Sequence, residues 1–329
     1  MSTVLSGIRS TGNLHLGNYF GALRNFVKMQ EENTCFFFIA DYHSLTTHPN
    51  PKELHGNVRN VLTEYLAAGI DPEKSTIYIQ SDVTEVCELY LLLNMHAYLG
   101  ELSKTVSFKE KARKQPENVN AGLLTYPTLM AADILMHNAD YVPVGKDQEQ
   151  HLEMTRKFAR RFNNLYQVEY FKEPDAYNFG QELVKIPGLD GSGKMGKSEG
   201  NCIYLYDEPK VIEKKVKKAL TDQGPTEQNQ PKPECIENLF TILRVVSTPE
   251  VVSFFEEKWN TCEIRYGDLK KQLAEDIIGV TSPIRERILA IQNDDAYLRK
   301  VATEGAEKAR ESARKTLTDV REIMGFRSF

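Results

Sequence analysis

Apolar runs alternate with helical segments through the first half of the chain, and this alternation constrains the fold most strongly. The run CFFFIADYHSL is continuously apolar before it turns polar at Asp41, His43 and Ser44, as a strand buried on both faces does. A similar run, STIYIQSD, follows an amphipathic helix predicted over 54–68, and another strand is predicted in ADYVPVG. Buried strands separated by helices predict a parallel α/β sheet, which binds ligands beyond the carboxyl ends of its strands.

The first strand, predicted over 3–6, leads into the loop GIRSTGNLHLGN and a helix that begins near Gly17. A helix start has free backbone N–H groups and a positive dipole end, and both favour phosphate binding. Gly17 lets a nucleotide approach the backbone closely. A histidine at such a position, here His15, is more often a cap or a turn residue than a catalyst. The segment from His15 to Asn18 is therefore a candidate phosphate site that needs independent support.

The stretch GSGKMGKS, residues 191–198, spells the pattern of a P-loop, a phosphate-binding turn between a strand and a helix. Gly200 and Asn201 would break a helix that begins at Lys197, and the β-like run 202–206 follows instead. A P-loop is therefore disfavoured. The sequence favours a mobile loop in which Lys194 and Lys197 bind phosphates together with a partner site elsewhere.

The second half of the chain changes character, and we predict two domains. A Rossmann-type nucleotide-binding domain covers 1–200 and includes a helical connecting segment at about 100–135, while 201–329 form a helical domain. Residues 220–235 resemble a linker or an exposed loop. The last helix is free to pack back on the first domain through an apolar face made of Ala306, Ala309, Ala313, Leu317, Val320 and Met324. Outside that face lie basic residues that form either a solvated surface or an RNA contact: Lys308, Arg310, Arg314, Lys315 and Arg321.

Composition limits the compartment and the partners. With 41% apolar and 26% charged residues and no long apolar run, the chain is predicted to be globular, without a membrane partner. No basic segment followed by an apolar one precedes the first strand, and the five cysteines are far apart. We therefore expect a cytoplasmic protein without a disulfide framework, zinc or another bound metal. The net charge of −5 means that nucleic acid would need a local basic patch.

Two phosphate-binding signals at opposite ends of one nucleotide-binding fold resemble a known family. HLGN resembles the HIGH signature, and KMGKS the KMSKS signature, of class I aminoacyl-tRNA synthetases. The resemblance to bacterial tryptophanyl-tRNA synthetases covers most of residues 3–200, and its blocks are SGIRSTGNLHLGNYFGALR, ADYHSLT, GIDPEKSTIYIQSDV, GELSKTVSFKEK, AGLLTYPTLMAADIL and VPVGKDQEQHLEMTRKFARRFN.

The resemblance implies a set of nucleotide-binding residues. Catalytic roles are implied for His15, Asn18, Lys111, Lys194 and Lys197. Contacts to ATP are implied for Arg9, Ser10, Thr11, Gly17, Asn18, Gly145, Lys146, Asp147, Leu183, Lys194, Met195, Gly196, Lys197 and Ser198. In this interpretation Lys194 to Ser198 close over the triphosphate with help from Lys111.

The resemblance also implies a tryptophan pocket. Its residues would be Leu5, His43, Tyr126, Met130, Asp133, Ile134, Val142, Val144 and Gln148. Helical spacing puts Tyr126, Met130, Asp133 and Ile134 on one face. An indole N–H only donates hydrogen bonds, so Asp133 is a suitable partner for it. The residues alone leave open that Asp133 is a cap or forms an ion pair within the fold.

The implied reaction has two steps. Tryptophan and ATP, with Mg²⁺, give tryptophanyl-adenylate and pyrophosphate, and the tryptophanyl group then passes to tRNA(Trp). The family also implies a homodimer. Three positions depart from the commonest bacterial pattern: Arg9-Ser10-Thr11 in place of Gln-Pro-Ser, Lys146 in place of an acid, and Gly196 in place of serine. Three alternatives stay open: a tyrosyl-tRNA synthetase, a small-molecule adenylyltransferase with a HIGH-like site, and a non-catalytic RNA-binding or regulatory paralogue.

Overall fold

The computed structural model describes residues 1–114, 116–145, 149–177, 185–197 and 199–327. All strand pairs are parallel, and the strand order is β3-β2-β1-β4-β5. The five strands are β1 Thr3–Ile8, β2 Thr34–Ile39, β3 Ser75–Ile79, β4 Tyr141–Val142 and β5 Asp175–Ala176. The order reverses between β1 and β4, which opens a crevice at their carboxyl ends. The predicted α/β fold with a Rossmann-type parallel sheet is confirmed.

The strands differ in detail from the prediction. β1 continues two residues past the predicted end at Ser6, because Gly7 and Ile8 also pair with β2. Only Tyr141 and Val142 of ADYVPVG form a strand. β5 was not predicted, because Asp175 and Ala176 are both exposed and give no apolar signal.

Helices surround the sheet and connect its strands. α4 shows why they begin and end where they do: the Asn50 side chain accepts a hydrogen bond from the Lys52 N–H, and Gly69 ends the helix with a φ of 106°. A π-helical turn, Tyr19–Leu23, joins α1 to α2. The helices in this part are α1 Leu16–Asn18, α2 Arg24–Met29, α3 Asp41–Ser44, α4 Pro51–Ala68, α5 Glu85–Asn94, α6 Leu99–Leu102, α7 Val106–Lys114, α8 Ala121–Met136 and α9 Glu149–Tyr166.

The chain after residue 208 is helical, as predicted. Its helices are α10 Pro209–Lys217, α11 Glu234–Val246, α12 Pro249–Asn260, α13 Tyr266–Ile291 and α14 Asp295–Ile323. Of the predicted linker or exposed loop, 220–235, residues 220–233 contain neither helix nor strand, whereas Glu234 and Cys235 already belong to α11. One apolar core includes residues of β1, α4 and α13. The division into two domains at residue 200 stays a prediction.

α14 packs across the β3 edge of the sheet. Val301 belongs to the apolar layer on one face of the sheet, and Ala309 to the layer on the other. Between them Gly305 meets the β3 backbone, where a β-carbon at residue 305 would lie 1.7 Å from the Ile77 carbonyl oxygen. Glycine is therefore required at this crossing, and the helix covers a strand edge that would otherwise be open.

The basic residues of α14 are not all solvated. Arg310 Nε donates to the Asp82 carbonyl oxygen at 2.8 Å, and Arg314 Nε lies 2.8 Å from Glu85 Oε1. Arg321 pairs with Glu88. Three of the five basic residues outside the predicted packing face thus contact the β3–α5 region. Lys308 and Lys315 are exposed.

Two features are absent from the described residues. No helix there combines the length and apolar character that crossing a bilayer requires. In the same ranges no three His, Cys, Asp or Glu side chains come together as a candidate metal site.

Candidate active site

The loop after β1 ends in a helix start that the chain itself holds in place. Asn18 Oδ1 accepts a hydrogen bond from the His15 N–H at 3.1 Å, and the Asn18 N–H donates to the His15 carbonyl at 2.8 Å. A β-carbon at Gly17 would lie 2.9 Å from two atoms of the His15 ring. The helix start predicted near HLGN is confirmed, and the absence of a side chain at Gly17 lets the His15 ring pack against the turn.

His15 is a neutral imidazole at neutral pH. Burial, and then the charges of Lys197 and Lys194, lower the pKa of His15 to about 4. Its Nδ1 is buried and has no hydrogen-bond partner among the described residues. Buried polar atoms are rarely left unpaired, so this nitrogen is a candidate ligand contact. A neutral ring has one donor and one acceptor nitrogen.

The loop of residues 191–197 is organised by Asn201. Asn201 Nδ2 donates to Asp190 Oδ1 at 2.9 Å and to Ser192 Oγ at 2.8 Å. Asn201 Oδ1 accepts a hydrogen bond from the Gly196 N–H at 2.9 Å. Met195, with 1% of its surface exposed, anchors the loop in the apolar core. The backbone of the signature loop is therefore ordered around one buried amide, and the Lys194 side chain is exposed.

The setting of GSGKMGKS differs from that of a P-loop. Gly200 has a φ of 65°, and no helix begins between residues 199 and 208. A P-loop needs a helix directly after its lysine. The first helix after the stretch is α10, which begins at Pro209, so the disfavoured P-loop hypothesis gains no support.

The KMGKS segment and the residues that follow it contact the loop and helix start after β1. Lys197 Nζ donates to the Gly12 carbonyl oxygen at 2.7 Å. The Leu16 N–H donates to the Ile203 carbonyl at 3.0 Å, and the Leu205 N–H to the Leu14 carbonyl at 3.0 Å. Residues 202–206 were predicted to be β-like but form only an isolated antiparallel bridge, at Tyr204. The bridge partner of Tyr204 is His15, and α1 begins at the next residue, so the pairing ends there.

Glu64 lies behind the first loop and was missed by the sequence analysis. It is 2% exposed, and its Oε2 accepts a hydrogen bond from the Leu14 N–H at 2.9 Å. Burial raises the pKa of the Glu64 carboxyl to about 8. Burial lowers the pKa of Lys197 to about 8, and the charge of Glu64 opposes that shift. The sequence signal for Glu64 was the position of an acid between Val61 and Tyr65, two apolar residues that are buried in α4.

The other residues of the first loop differ in exposure. Arg9 and Thr11 are exposed, and Thr11 Oγ1 lies 3.5 Å from Lys197 Nζ. Ser10 is fully buried, and its hydroxyl lies 3.1 Å from that of Ser44. The structure therefore leaves no surface of Ser10 open to a nucleotide.

Asp133 is the centre of a buried hydrogen-bond network. It is 1% exposed, and Gln80 Nε2 donates to its two carboxylate oxygens at 2.8 and 2.9 Å. His43 Nε2 lies 2.8 Å from Asp133 Oδ2. Burial raises the pKa of Asp133, while His43 and Gln80 oppose that shift. Asp133 therefore does have partners within the fold, as one of the alternatives for this residue predicted. The carboxylate also has lone pairs for a further donor.

Tyr126, on the same helix, contacts residues of two other helices. Its hydroxyl bonds to Ser107 of α7 and lies 2.7 Å from His151 Nε2 of α9. Lys111 Nζ lies 4.2 Å from the centroid of the Tyr126 ring, a cation–π geometry. Burial and the charge of Arg9 lower the pKa of Lys111. Lys111 therefore lies beside the predicted tryptophan pocket as well as near the first loop.

The apolar residues of the predicted pocket lie in one layer. Leu5, Ile134 and Val142 are buried members of the same cluster, and Met130 and Val144 pack against it. Gly145 follows β4 after two residues. The structure therefore brings the carboxyl ends of β1 and β4 together with α8.

Some predicted site residues cannot be compared with the structure. Lys146, Asp147, Gln148, Leu183 and Ser198 lie outside the described residues. Conversely, Gln80 and His151 were absent from the predicted site. Gln80 stands at the polar end of β3, and His151 stands on the apolar face of α9 with Leu152, Thr155 and Phe158. These positions were the only signals for them.

Comparisons with known proteins agree with this geometry. The family described as tRNA synthetases class I (W and Y) matches residues 1–281. The chain is 68% identical over 327 residues to a tryptophan–tRNA ligase of Porphyromonas gingivalis, with 99% of this chain and 100% of the relative covered. It is 43% identical over 328 residues to that of Clostridium tetani, with 98% and 96% covered.

A solved structure gives the same result. The crystal structure of tryptophanyl-tRNA synthetase from Campylobacter jejuni, complexed with ADP and tryptophan, superimposes with a TM-score of 0.85 at 35% identity. The match covers 98% of this chain and 99% of that one. Sequence and structure comparisons therefore agree over nearly the whole length. The chain belongs to the class I tRNA synthetases for tryptophan and tyrosine.

Proposed function

We propose that the protein is a tryptophan–tRNA ligase. It activates L-tryptophan with ATP to form tryptophanyl-adenylate and then transfers the tryptophanyl group to the 3′ end of tRNA(Trp). The relatives named above, at up to 68% identity over nearly the full chain, support this function. A cytoplasmic location and the use of the Mg²⁺ complex of ATP are parts of the same proposal.

The observation that carries the proposal is the position of Asp133. Its carboxylate is 1% exposed and lies on a helix face that also bears Tyr126, Met130 and Ile134. This face borders the carboxyl ends of β1 and β2, where the loop after β1 meets the KMGKS segment through Gly12 and Lys197. An acceptor for one indole N–H is thus combined with cationic groups suited to phosphates.

The first step needs positioning and charge stabilisation rather than a protein nucleophile. An oxygen of the tryptophan carboxylate attacks the α-phosphorus, the bond to the bridging oxygen breaks, and pyrophosphate leaves. Lys194, Lys197 and Lys111 offset the charge that develops on the leaving group. His15, being neutral, contributes a hydrogen bond through its imidazole, and Gly17 and Asn18 present backbone N–H groups.

Amino-acid selection depends on the indole N–H. With tryptophan bound, this donor pairs with the Asp133 carboxylate, which Gln80 and His43 hold in place. Phenylalanine has no such donor and would leave the buried carboxylate one partner short. Sites of this kind discriminate by about 10⁴ to 10⁵ without editing.

The second step requires tRNA. A hydroxyl of the terminal adenosine, the 2′-hydroxyl in the class I pattern, attacks the carbonyl carbon of the adenylate, and AMP leaves with release of a proton. We assign tRNA binding to the helical segment 201–329. Four exposed lysines in α10 or directly after it support this assignment, because their positive charges suit the phosphates of RNA. They are Lys210, Lys214, Lys217 and Lys218.

A homodimer is also part of the proposal. Four large apolar side chains on and after α5 are 50% to 69% exposed: Leu91, Met95, Tyr98 and Leu99. An apolar surface group of this kind supports a contact with a second copy. Sedimentation of the purified chain at several concentrations tests the dimer.

ATP–pyrophosphate exchange with each of the twenty amino acids tests the function. We expect exchange with tryptophan alone. Exchange with tyrosine and not tryptophan would instead identify a tyrosyl-tRNA synthetase. The absence of exchange with any amino acid would favour the non-catalytic paralogue.

Addition of tRNA separates the remaining alternative. After the adenylate has formed, tRNA(Trp) should release AMP and take up labelled tryptophan. An adenylyltransferase acting on small molecules would show no release of AMP on addition of tRNA.

A further inference from the structure

A short 3₁₀ turn, Gln80–Asp82, lies between Asp133 and the last helix. Gln80 is 1% exposed, and both ends of its carboxamide are used. Its Nε2 donates to both oxygens of Asp133, while its Oε1 accepts a hydrogen bond from the Tyr42 N–H at 3.1 Å. The orientation of Asp133 therefore depends on the position of this turn.

α14 holds the other side of the turn. Arg310 Nε donates to the Asp82 carbonyl oxygen at 2.8 Å. The charge of Arg310 also opposes the effect of burial and of Asp41, which raise the pKa of the Asp82 carboxyl. The guanidinium thus binds the turn by a hydrogen bond and offsets the repulsion between two neighbouring carboxyl groups. The Arg310 side chain is itself half-buried.

We propose that Arg310 is a positioning residue for tryptophan selection. It acts through the Gln80–Asp82 turn, which keeps the Gln80 amide directed at the Asp133 carboxylate. This inference rests on the proposed function of Asp133. It assigns to the last helix, more than 170 residues beyond Asp133 in sequence, a part in amino-acid recognition.

Loss of the Arg310 guanidinium should affect the binding of one substrate more than that of the other. Without the guanidinium, the Asp82 carbonyl loses a charge-assisted partner and the turn gains freedom. Gln80 then orients Asp133 less firmly, so the pairing with the indole N–H weakens. In the part of the chain that the structure describes, Arg310 has no hydrogen bond or ion pair with the nucleotide side, which is built from residues 9–18 and 191–197. The binding of tryptophan should therefore weaken, whereas the binding of ATP should not change.

Arg310→Met tests the inference in pyrophosphate exchange. We expect the KM for tryptophan to rise about three- to tenfold, the scale of one lost charge-assisted hydrogen bond. The KM for ATP should stay unchanged, and the preference for tryptophan over phenylalanine should fall. Arg310→Lys keeps a cationic donor and should restore part of the loss.

Arg314→Met is the matched control. Arg314 stands one turn further along the same helix and pairs with Glu85 rather than with the turn. This variant should keep the wild-type KM for tryptophan. Thermal unfolding of both variants shows whether loosening of the helix alone explains a difference.

Two results would overturn the inference. One is an equal rise of the KM for tryptophan and the KM for ATP in Arg310→Met, which indicates general destabilisation. The other is an unchanged KM for tryptophan with a raised KM for tRNA, which makes Arg310 an RNA contact. A wild-type protein that shows no tryptophan-dependent exchange would instead overturn the proposed function itself.

Discussion

The nucleotide side and the amino-acid side of the candidate site are built by different means. The nucleotide side consists of two loops, which meet through Lys197 and the Gly12 carbonyl. The amino-acid side consists of a helix face and strand ends, where Asp133 is held by Gln80 and His43. Cationic side chains dominate the first side, and a buried carboxylate dominates the second.

The difference matches the chemistry of the two substrates. A triphosphate is highly charged, and its charge changes during the reaction, so flexible lysines near ordered loops can follow it. The indole N–H is a single neutral donor whose position does not change. A fixed acceptor in an apolar layer therefore suits it, and the cost of a buried carboxylate is offset by its partners. Substitutions on the two sides should consequently alter different kinetic constants.

The largest effect is expected on the amino-acid side, from Asp133→Ala. The ratio of kcat/KM for tryptophan to that for phenylalanine should fall by about 10³, because only shape discrimination of roughly 10 to 200-fold remains. Asp133→Asn keeps an acceptor oxygen, so its ratio should lie between those of the wild type and Asp133→Ala. Pyrophosphate exchange with each amino acid gives the ratio. If Asp133→Ala keeps the wild-type ratio, another group pairs with the indole N–H.

Lys197→Met should affect the nucleotide side instead. We expect kcat for exchange to fall by about 10² to 10³, the usual loss when one group that stabilises developing charge is removed. The KM for tryptophan should change little. Lys185→Met, at an exposed lysine ahead of the loop, is the control and should behave as wild type. Comparable losses in both variants would remove the special role of Lys197.

Gly17→Ala should have a smaller effect on the same side. The new β-carbon would lie 2.9 Å from the His15 ring and displace it, so the KM for ATP should rise by about tenfold, as for the loss of roughly one hydrogen bond. Gly56→Ala is the matched control. No atom lies within 4 Å of a β-carbon there, so this helix position should tolerate alanine. An unchanged KM for ATP in Gly17→Ala would show that the ring accommodates the methyl group.

The last change is expected in stability rather than in catalysis, from Glu64→Gln. The carboxyl keeps its proton in the folded state up to about pH 8, whereas the unfolded chain loses it near the ordinary value of 4.5. Wild-type stability should therefore fall as the pH rises from about 4.5 to 8, by at most ~1.4 kcal/mol per pH unit. Glutamine does not titrate and keeps an acceptor for the Leu14 N–H.

Urea unfolding at several pH values measures this effect. The variant should match wild type near pH 4.5 and exceed it by about 1 to 3 kcal/mol at pH 8, a range below the full linkage limit. Glu53→Gln, at an exposed carboxylate of the same helix, is the control and should follow the wild-type curve. A pH-independent difference for Glu64→Gln would mean that the carboxyl is not protonated in the fold.

The sheet and its main helices could be predicted because each has a repeating signal. β2 is a continuous apolar run, and α4 combines helical spacing with an Asn50 cap and a terminal Gly69. The helix start at HLGN was predicted from a glycine after a loop. β4 and β5 have two residues each, so no repeat of apolar residues can form in them.

The missing parts of the site depend on contacts between distant segments. Gln80 meets Asp133 across 53 residues, and Glu64 meets Leu14 across 50. A single polar residue on an apolar face indicates such a contact, but the sequence does not show which distant residue is its partner. The roles of Arg310 and Arg314 were hidden for the same reason, since a basic helix surface has one sequence pattern whether it contacts solvent, RNA or protein.

The close approach of Gly305 to Ile77 has a consequence for synthesis on the ribosome. The strands, and most of the helices around them, emerge before α14 does. Until that helix arrives, the β3 edge has free hydrogen-bonding groups and both apolar layers lack part of their cover. The nascent protein should therefore complete its fold late and in nearly one step. The period in which it is prone to aggregation should end when α14 covers the edge of the sheet.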